Sequence, residues 1–279
     1  MIPQPFEYSA AKSVEEALKL MAAGAKPLAG GMSLIPMMKL RLAAPEKLVD
    51  LARIKDLNAI HESGKEIHIG ATATHYAVES SPLVRAKCPL LASTAGAIGD
   101  VQVRNVGTMG GSVAHADPAA DYPAALQALE AKIVIQGPSS TRTVLAADFF
   151  VDAFTTALEP GEIVREIVVP VEDSQTSYQK SPQPASGFAL VGVAVRVKKS
   201  GGKVASAQIG VTGLANKSFR ASAAEKALVG TVGAAADIQK AAGLVADKVD
   251  ANSDLHASAE YRKHLAKVYT VRALTAALA

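Results

Sequence analysis

Two short glycine-paired segments carry the residue types best suited to hold an anion: Gly30-Gly31-Met32-Ser33, preceded by Ala29, and Gly110-Gly111-Ser112, preceded by Thr108-Met109. Adjacent glycines strip the side chains that shield a backbone, so successive N–H groups can converge as a nest on phosphate oxygens, with Ser and Thr hydroxyls as further donors. A single Gly-Gly more often only makes a tight turn, but a pair of them, each beside a helix start, suits a diphosphate held between the two. Neither segment is a G-x-G-x-x-G opening a βαβ unit or a G-x-x-x-x-G-K-S/T loop, which argues against a Rossmann dehydrogenase and a P-loop NTPase.

The remaining reactive side chains form no comparable constellation. His115, Asp117 and Asp121 have a spacing that fits no standard metal site. His61, His68, His75, His256 and His264 are scattered, and no Ser or Cys elbow accompanies them to make a hydrolase; surface or internally satisfied histidines are expected. Cys88, ahead of Pro89 at a helix start, reads as a small buried residue rather than a nucleophile. As the chain's one cysteine, it rules out an internal disulfide, a multi-thiolate zinc site and an iron–sulfur cluster bound by this chain alone. Redox chemistry here needs another carrier.

The elements that must position the glycine segments follow from hydrophobic period and punctuation. Ser13 and Glu16 form a capping box for a helix with Val14, Ala17, Leu18 and Met21 on one face, stopped at Gly24. A strand at Lys26 to Ala29, the first glycine turn, a short helix to Leu40, and strands at Leu48 to Leu51 and Ile67 to Ile69 follow, an alternation that points to α/β. Pro89 to Ile98 is helical, and residues 101–112 lack a helical period and read as a three-glycine loop. Asp117-Pro118 should open a helix reaching Ala131, kinked or delayed by Pro123. Strands are expected at Lys132 to Gln136 and Ile163 to Val169. Polar, proline-bearing residues 173–186 read as a linker, followed by long strands at Phe188 to Val197 and Val204 to Leu214 joined by a glycine hairpin and then by helices from Glu225 onward.

Length and composition agree with two modest domains. The 279 residues are 49% hydrophobic and 20% charged, as in a folded globular chain. Aromatics are only 4% and Trp is absent, while Gly numbers 21, so close backbone packing must replace large rings. Lys plus Arg 29 against Asp plus Glu 26 leaves 29 − 26 = +3, with no basic block longer than Lys198-Lys199, an unpromising profile for nucleic acid. No signal peptide stands at the N-terminus and no apolar stretch reaches the ~20 residues of a membrane span, so a cytoplasmic protein is expected.

The stretches Leu28-Ala29-Gly30-Gly31-Met32-Ser33-Leu34-Ile35-Pro36-Met37-Met38-Lys39-Leu40-Arg41, Val103 to Ser112 and Asp117-Pro118-Ala119-Ala120-Asp121 resemble the FAD-binding medium subunit of the molybdenum hydroxylases, nearest to the aerobic carbon monoxide dehydrogenase group. Ser258 to Leu265 is similar to that family's last helix. The resemblance implies a mixed α+β and α/β chain: a vanillyl-alcohol-oxidase (PCMH)-type FAD domain over residues 1–172, in subdomains of about 1–58 and 59–172, then the linker 173–186 and a C-terminal domain over 187–279. It implies that Leu28, Ala29, Gly30, Gly31, Met32, Ser33, Leu34 and Ile35, with Thr108, Met109, Gly110, Gly111 and Ser112, clasp the FAD diphosphate. Asp121 would sit by the sugar-like chain, Ile98 and Gly99 along the cofactor, Val164 against the isoalloxazine and Lys180 near the ring. Many relatives have Asn where this chain has Ser112. The implied role is electron transfer from an iron–sulfur subunit through FAD to an external acceptor (quinone, NAD or oxygen), beside a molybdopterin-binding large subunit and a small subunit with 2Fe–2S clusters in a dimer of heterotrimers. A stand-alone flavin oxidoreductase and a non-catalytic assembly subunit with a decayed FAD site are the alternatives.

Overall fold

A computed structural model describes residues 2–279 as three main sheets, each covered by helices, and a small two-stranded ribbon of Phe150–Asp152 and Thr155–Thr156. The first is parallel and three-stranded: Lys47–Asp50 lies between Glu7–Ala10 and Lys26–Leu28. Helix Val14–Ala22 buries Val14, Ala17 and Leu18 against it. Its Ser13 hydroxyl accepts from the Glu16 N–H, while the Glu16 carboxylate takes the Lys12 N–H instead of closing the expected box on Ser13.

The second sheet is antiparallel throughout, in the order Ile60–Ser63, Glu66–Gly70, Ile163–Pro170, Lys132–Gln136, Thr141–Leu145. The strand-to-helix alternation therefore signals a parallel sheet only in the first unit. Helices His75–Ser80, Pro89–Gly96 and Tyr122–Ala128 contribute to its core. Pro123 falls at the first helical turn, so the helix expected from Asp117 starts later, with Asp121 as its N-cap.

The supposed loop at residues 101–112 is instead two short helices, Val101–Val106 and Met109–His115. Asp100 caps the first through a 2.9 Å bond from the Val103 N–H. No residue of that helix is buried, so it carries no apolar stripe for the sequence to display.

The third sheet is antiparallel, in the order Gln175–Pro182, Ala189–Ser200, Lys203–Thr212, Phe219–Arg220, with helices Ser222–Leu228, Ala235–Gly243 and Ala259–Leu278 packed on it. Most of the expected linker is thus a strand, paired with Ala189–Ser200 in full register from Gln175↔Val197 to Ser181↔Val191. It is an edge strand of half-buried polar residues, where prolines are tolerated and alternation is weak. Helix Tyr122–Ala128, every residue of it buried, lies between the second unit and this sheet. A Cβ on Gly210 would stand 2.0 Å from the Ala124 carbonyl oxygen, so the small residues do permit backbone-close packing. Among the described residues, no helix is long and apolar enough to cross a membrane.

Candidate functional site

A cavity of about 500 Å³ opens where the three units meet. The first unit supplies the turn after strand Lys26–Leu28, the second supplies the two short helices and the turn after Glu66–Gly70, and the third supplies Ser186, Gly187 and Phe188.

The two glycine segments touch. A Cβ on Gly30 would stand 2.2 Å from the Val106 carbonyl oxygen and 2.8 Å from the Gly107 Cα, and one on Gly111 would stand 3.7 Å from the Ala29 Cβ. Only backbone without a side chain fits this approach. Gly31 turns with φ 71°, a left-handed conformation natural to glycine, and helix Leu34–Lys39 begins directly after it. Among the described residues, no protein acceptor takes the N–H groups of Gly30, Gly31, Met32 or Ser33. A run of unclaimed N–H groups is the arrangement that a backbone anion site requires.

The second pair works differently from the expected nest. The Met109 and Gly110 N–H groups bond the carbonyls of Ala73 (2.9 Å) and Ala71 (2.8 Å), and the Gly111 N–H donates to the Thr108 hydroxyl (3.2 Å). Gly110 is spent on packing, since a Cβ there would meet the Ala71 Cβ at 2.4 Å. What this segment offers the cavity is bare backbone, the Thr108 hydroxyl and the half-buried Ser112 side chain.

Leu28, Ala29, Gly30, Gly31, Met32, Ser33, Leu34, Ile98, Gly99, Thr108, Gly110, Gly111, Ser112, Asp121 and Val164 all line the cavity. Val164 lies at a bulge in strand Ile163–Pro170, a place where strands re-aim side chains. Ile35, Met109 and Lys180 do not line it. Met109 is wholly buried in the core of the second unit, and the Ile35 side chain folds back over Gly31.

Lys180 is neither a solvated linker lysine nor a free ring-side cation. It is 9% exposed, and its ammonium donates to the carbonyls of Ala97 (2.6 Å) and Gly187 (2.8 Å) and pairs with Asp121 Oδ1 at 2.8 Å. An ammonium has three donors, and these partners use them. Tyr178 donates to the same Oδ1 at 2.5 Å, leaving Asp121 Oδ2 without a protein partner among the described residues. Burial pushes the Asp121 carboxyl above its usual range in spite of the Lys180 charge, and burial with the Asp121 charge pushes Tyr178 well up. Lys180 holds one side of the Ile98–Gly99 turn and Arg104 the other, through bonds to the Ile98 and Gly99 carbonyls and an ion pair with Glu79 at 2.9 Å.

Sequence reasoning missed Thr72, on the turn after Glu66–Gly70, and His75, the first residue of the helix that follows; both stand in the cavity wall. Their only signal was the strand that carries them to the seam. His115 also borders the cavity, against the Phe154 ring at 5.1 Å, with its pKa lowered chiefly by burial. Cys88 is fully buried and its thiol is pushed up to about 12 by burial, an inert core residue.

The residues present suit FAD. Unclaimed N–H groups await a phosphate, a half-free carboxylate suits hydroxyl donors, apolar Val164 and Leu51 suit a ring, and the buried Thr72 Oγ1 has no partner inside the protein. The comparisons agree. The family described as the FAD binding domain in molybdopterin dehydrogenase matches residues 4–172, and the CO dehydrogenase flavoprotein C-terminal domain matches residues 176–277. The chain is 42% identical to the carbon monoxide dehydrogenase medium chain of Hydrogenophaga pseudoflava, over 100% of this chain and 99% of that one. It is 38% identical to the glyceraldehyde dehydrogenase medium chain of Sulfolobus acidocaldarius, over 98% of each. Among solved structures, carbon monoxide dehydrogenase from Hydrogenophaga pseudoflava superposes with a TM-score of 0.96 at 44% identity, covering 99% of this chain and 98% of that chain. Quinoline 2-oxidoreductase from Pseudomonas putida gives 0.96 at 32%, covering 100% and 98%. The chain therefore belongs to the FAD-binding medium subunits of the molybdenum hydroxylases, oxidoreductases of the carbon monoxide dehydrogenase flavoprotein family, and its cofactor is FAD.

Proposed function

We propose that this chain is the link through which electrons leave a molybdenum hydroxylase: it takes them from an iron–sulfur small subunit and delivers them to an external acceptor such as a quinone, NAD or oxygen, beside a molybdopterin-binding large subunit. The observation that carries the reading is the run of unclaimed N–H groups from Gly30 to Ser33, apposed to the second glycine segment at a three-unit seam, in a chain that matches medium subunits from end to end. Bound FAD supplies a centre that takes and releases electrons singly or in pairs.

The protein's part is to bind and orient. The Gly30–Ser33 amides would hold the diphosphate, with Thr108 and Ser112 hydroxyls close by. Asp121 Oδ2 would accept from the hydroxyls of the sugar-like chain, its carboxylate fixed by Lys180 and Tyr178. Val164 would lie against the ring, and Lys180 would act through Asp121 and the Ile98–Gly99 turn rather than by touching the ring.

Two features favour this role over a self-contained flavin oxidoreductase. Three titratable groups at the cavity each have an atom held by a protein partner, Asp121 Oδ1 by Lys180, Glu162 by Arg142 at 2.6 Å and His75 Nδ1 by Tyr122, which favours fixed positioning over proton transfer. The chain also spans nearly the full length of the medium subunits it matches, so its whole described body has its counterpart in an electron-transfer subunit. The test is purification of the tagged chain from its host with flavin and metal analysis. FAD, iron and molybdenum should co-purify, and a flavin-free monomer, or turnover of a substrate by the isolated flavin-loaded chain, would overturn the reading.

A further inference from the structure

The FAD arrangement above leaves two polar side chains of the cavity wall unused. Thr72 is 6% exposed and His75 is 4% exposed, and both border the cavity. The Thr72 backbone is fixed by its N–H bond to the Leu57 carbonyl at 2.7 Å, while its Oγ1 has no partner. A buried hydroxyl without a partner is the exception in native proteins, and the adjoining cavity is where an acceptor can come from.

His75 Nδ1 lies 3.2 Å from the hydroxyl of Tyr122, a side chain with no exposure and no other hydrogen-bond partner among the described residues. A buried phenol is satisfied by donating its proton, so Nδ1 is the acceptor and the imidazole carries its own proton on Nε2. Nε2 overlies Gly107, since a Cβ there would stand 2.7 Å from it, and the Gly107 Cα is, after the Val106 carbonyl oxygen, the second atom that a Cβ on Gly30 would meet, at 2.8 Å. The ring N–H therefore sits at the joint of the two glycine segments. Burial, assisted by the Arg104 charge, holds the His75 pKa at about 4, so the ring is a neutral donor at neutral pH.

We propose that His75 and Thr72 are side-chain donors to the FAD diphosphate, His75 through Nε2–H and Thr72 through its hydroxyl turned into the cavity, with Tyr122 as the positioning residue that fixes the imidazole tautomer. The inference rests on the FAD site proposed above and adds two neutral donors to its backbone amides.

The full-length chain, freed of flavin, is titrated with FAD, ADP and riboflavin by fluorescence and calorimetry. Thr72→Val and His75→Phe should each weaken FAD and ADP by about 10- to 100-fold, the range for a hydrogen bond to a charged acceptor, and leave riboflavin, which has no phosphate, unchanged. Thr72→Ser and His75→Gln keep a donor and should stay within a few-fold of the parent, and Tyr122→Phe, which frees the tautomer, should fall between. Unchanged FAD affinity in both Thr72→Val and His75→Phe would overturn the proposal, as would equal losses for riboflavin and FAD. If His75→Phe does not fold, the near-isosteric Thr72→Val decides. A parent chain that takes up neither FAD nor ADP would sink the FAD site itself, an outcome distinct from failure of these two donors.

Discussion

Substituting Gly30 by Ala isolates the contact on which the site is built. Gly30 has no positive φ, so the backbone already permits an L residue and the whole penalty is collision. The added Cβ would lie 2.2 Å from the Val106 carbonyl oxygen, against a floor of 3.0 Å for real contacts, so the segments must part by at least 3.0 − 2.2 = 0.8 Å. Both obstructing groups are backbone and cannot rotate away. Overpacking of this kind costs about 1–3 kcal/mol, which for a chain of this size lowers the melting temperature by roughly 2–5 °C. A shift approaching 1 Å between donors and the atoms they must meet should weaken FAD on the order of 100-fold. Thermal unfolding with and without FAD, together with a fluorescence titration, measures both effects. Gly24→Ala is the control: at φ 92° with nothing within 4 Å of the new carbon, it should lose about 1 kcal/mol of stability and no FAD affinity. If Gly30→Ala binds FAD as tightly as the parent, the apposed glycine segments do not organise the site.

Three further outcomes are expected. Asp121→Asn removes one partner of the buried pair with Lys180 and should cost about 3–5 kcal/mol in urea unfolding, with Asp121→Asn/Lys180→Met nearer the parent than Asp121→Asn alone; simple additivity of the two changes would contradict the pairing. His75 has its pKa depressed in the fold from 6.5 to about 4, so the unfolded chain takes up the proton first as pH falls. Its contribution is complete above pH 6.5, shrinks as pH drops towards 4, and amounts to about 3 kcal/mol over the 2.5-unit window; unfolding free energies at pH 7 and 5 should differ less in His75→Gln than in the parent. Cys88, fully buried with its thiol pushed up to about 12, should resist iodoacetamide in the native protein and react once urea unfolds it; rapid native labelling would show that the core opens there.

The glycine segments were legible because two like stretches beside helix starts form a composition signal that survives without knowledge of the fold. Helix Val14–Ala22 and strand Lys132–Gln136 were legible because each buries a periodic face, and strand Ile163–Pro170 because it is a short, mostly buried apolar run closed by a proline. Helix Val101–Val106 was not, because it buries nothing, and strand Gln175–Pro182 was not, because an edge strand of half-buried polar residues lacks alternation. In the site, a Thr on a turn and a His three residues on, at the start of a helix, form no motif. Thr72 and His75 became visible only through an orphaned hydroxyl and a ring nitrogen over Gly107. Lys180 was placed near the cofactor by resemblance, whereas the structure spends its ammonium on Asp121 and two carbonyls, contacts between residues up to 83 positions apart that no local pattern encodes.

Helix Tyr122–Ala128 belongs by sequence to the FAD-binding part, yet it serves as flooring for the C-terminal sheet as well. Truncation after residue 172 would leave Ala124 and its neighbours bare on the side where Gly210 now rests, and the detached C-terminal portion would lose its support at the same spot. The two family segments should therefore unfold as one body, and protein produced as separate pieces should be prone to clumping.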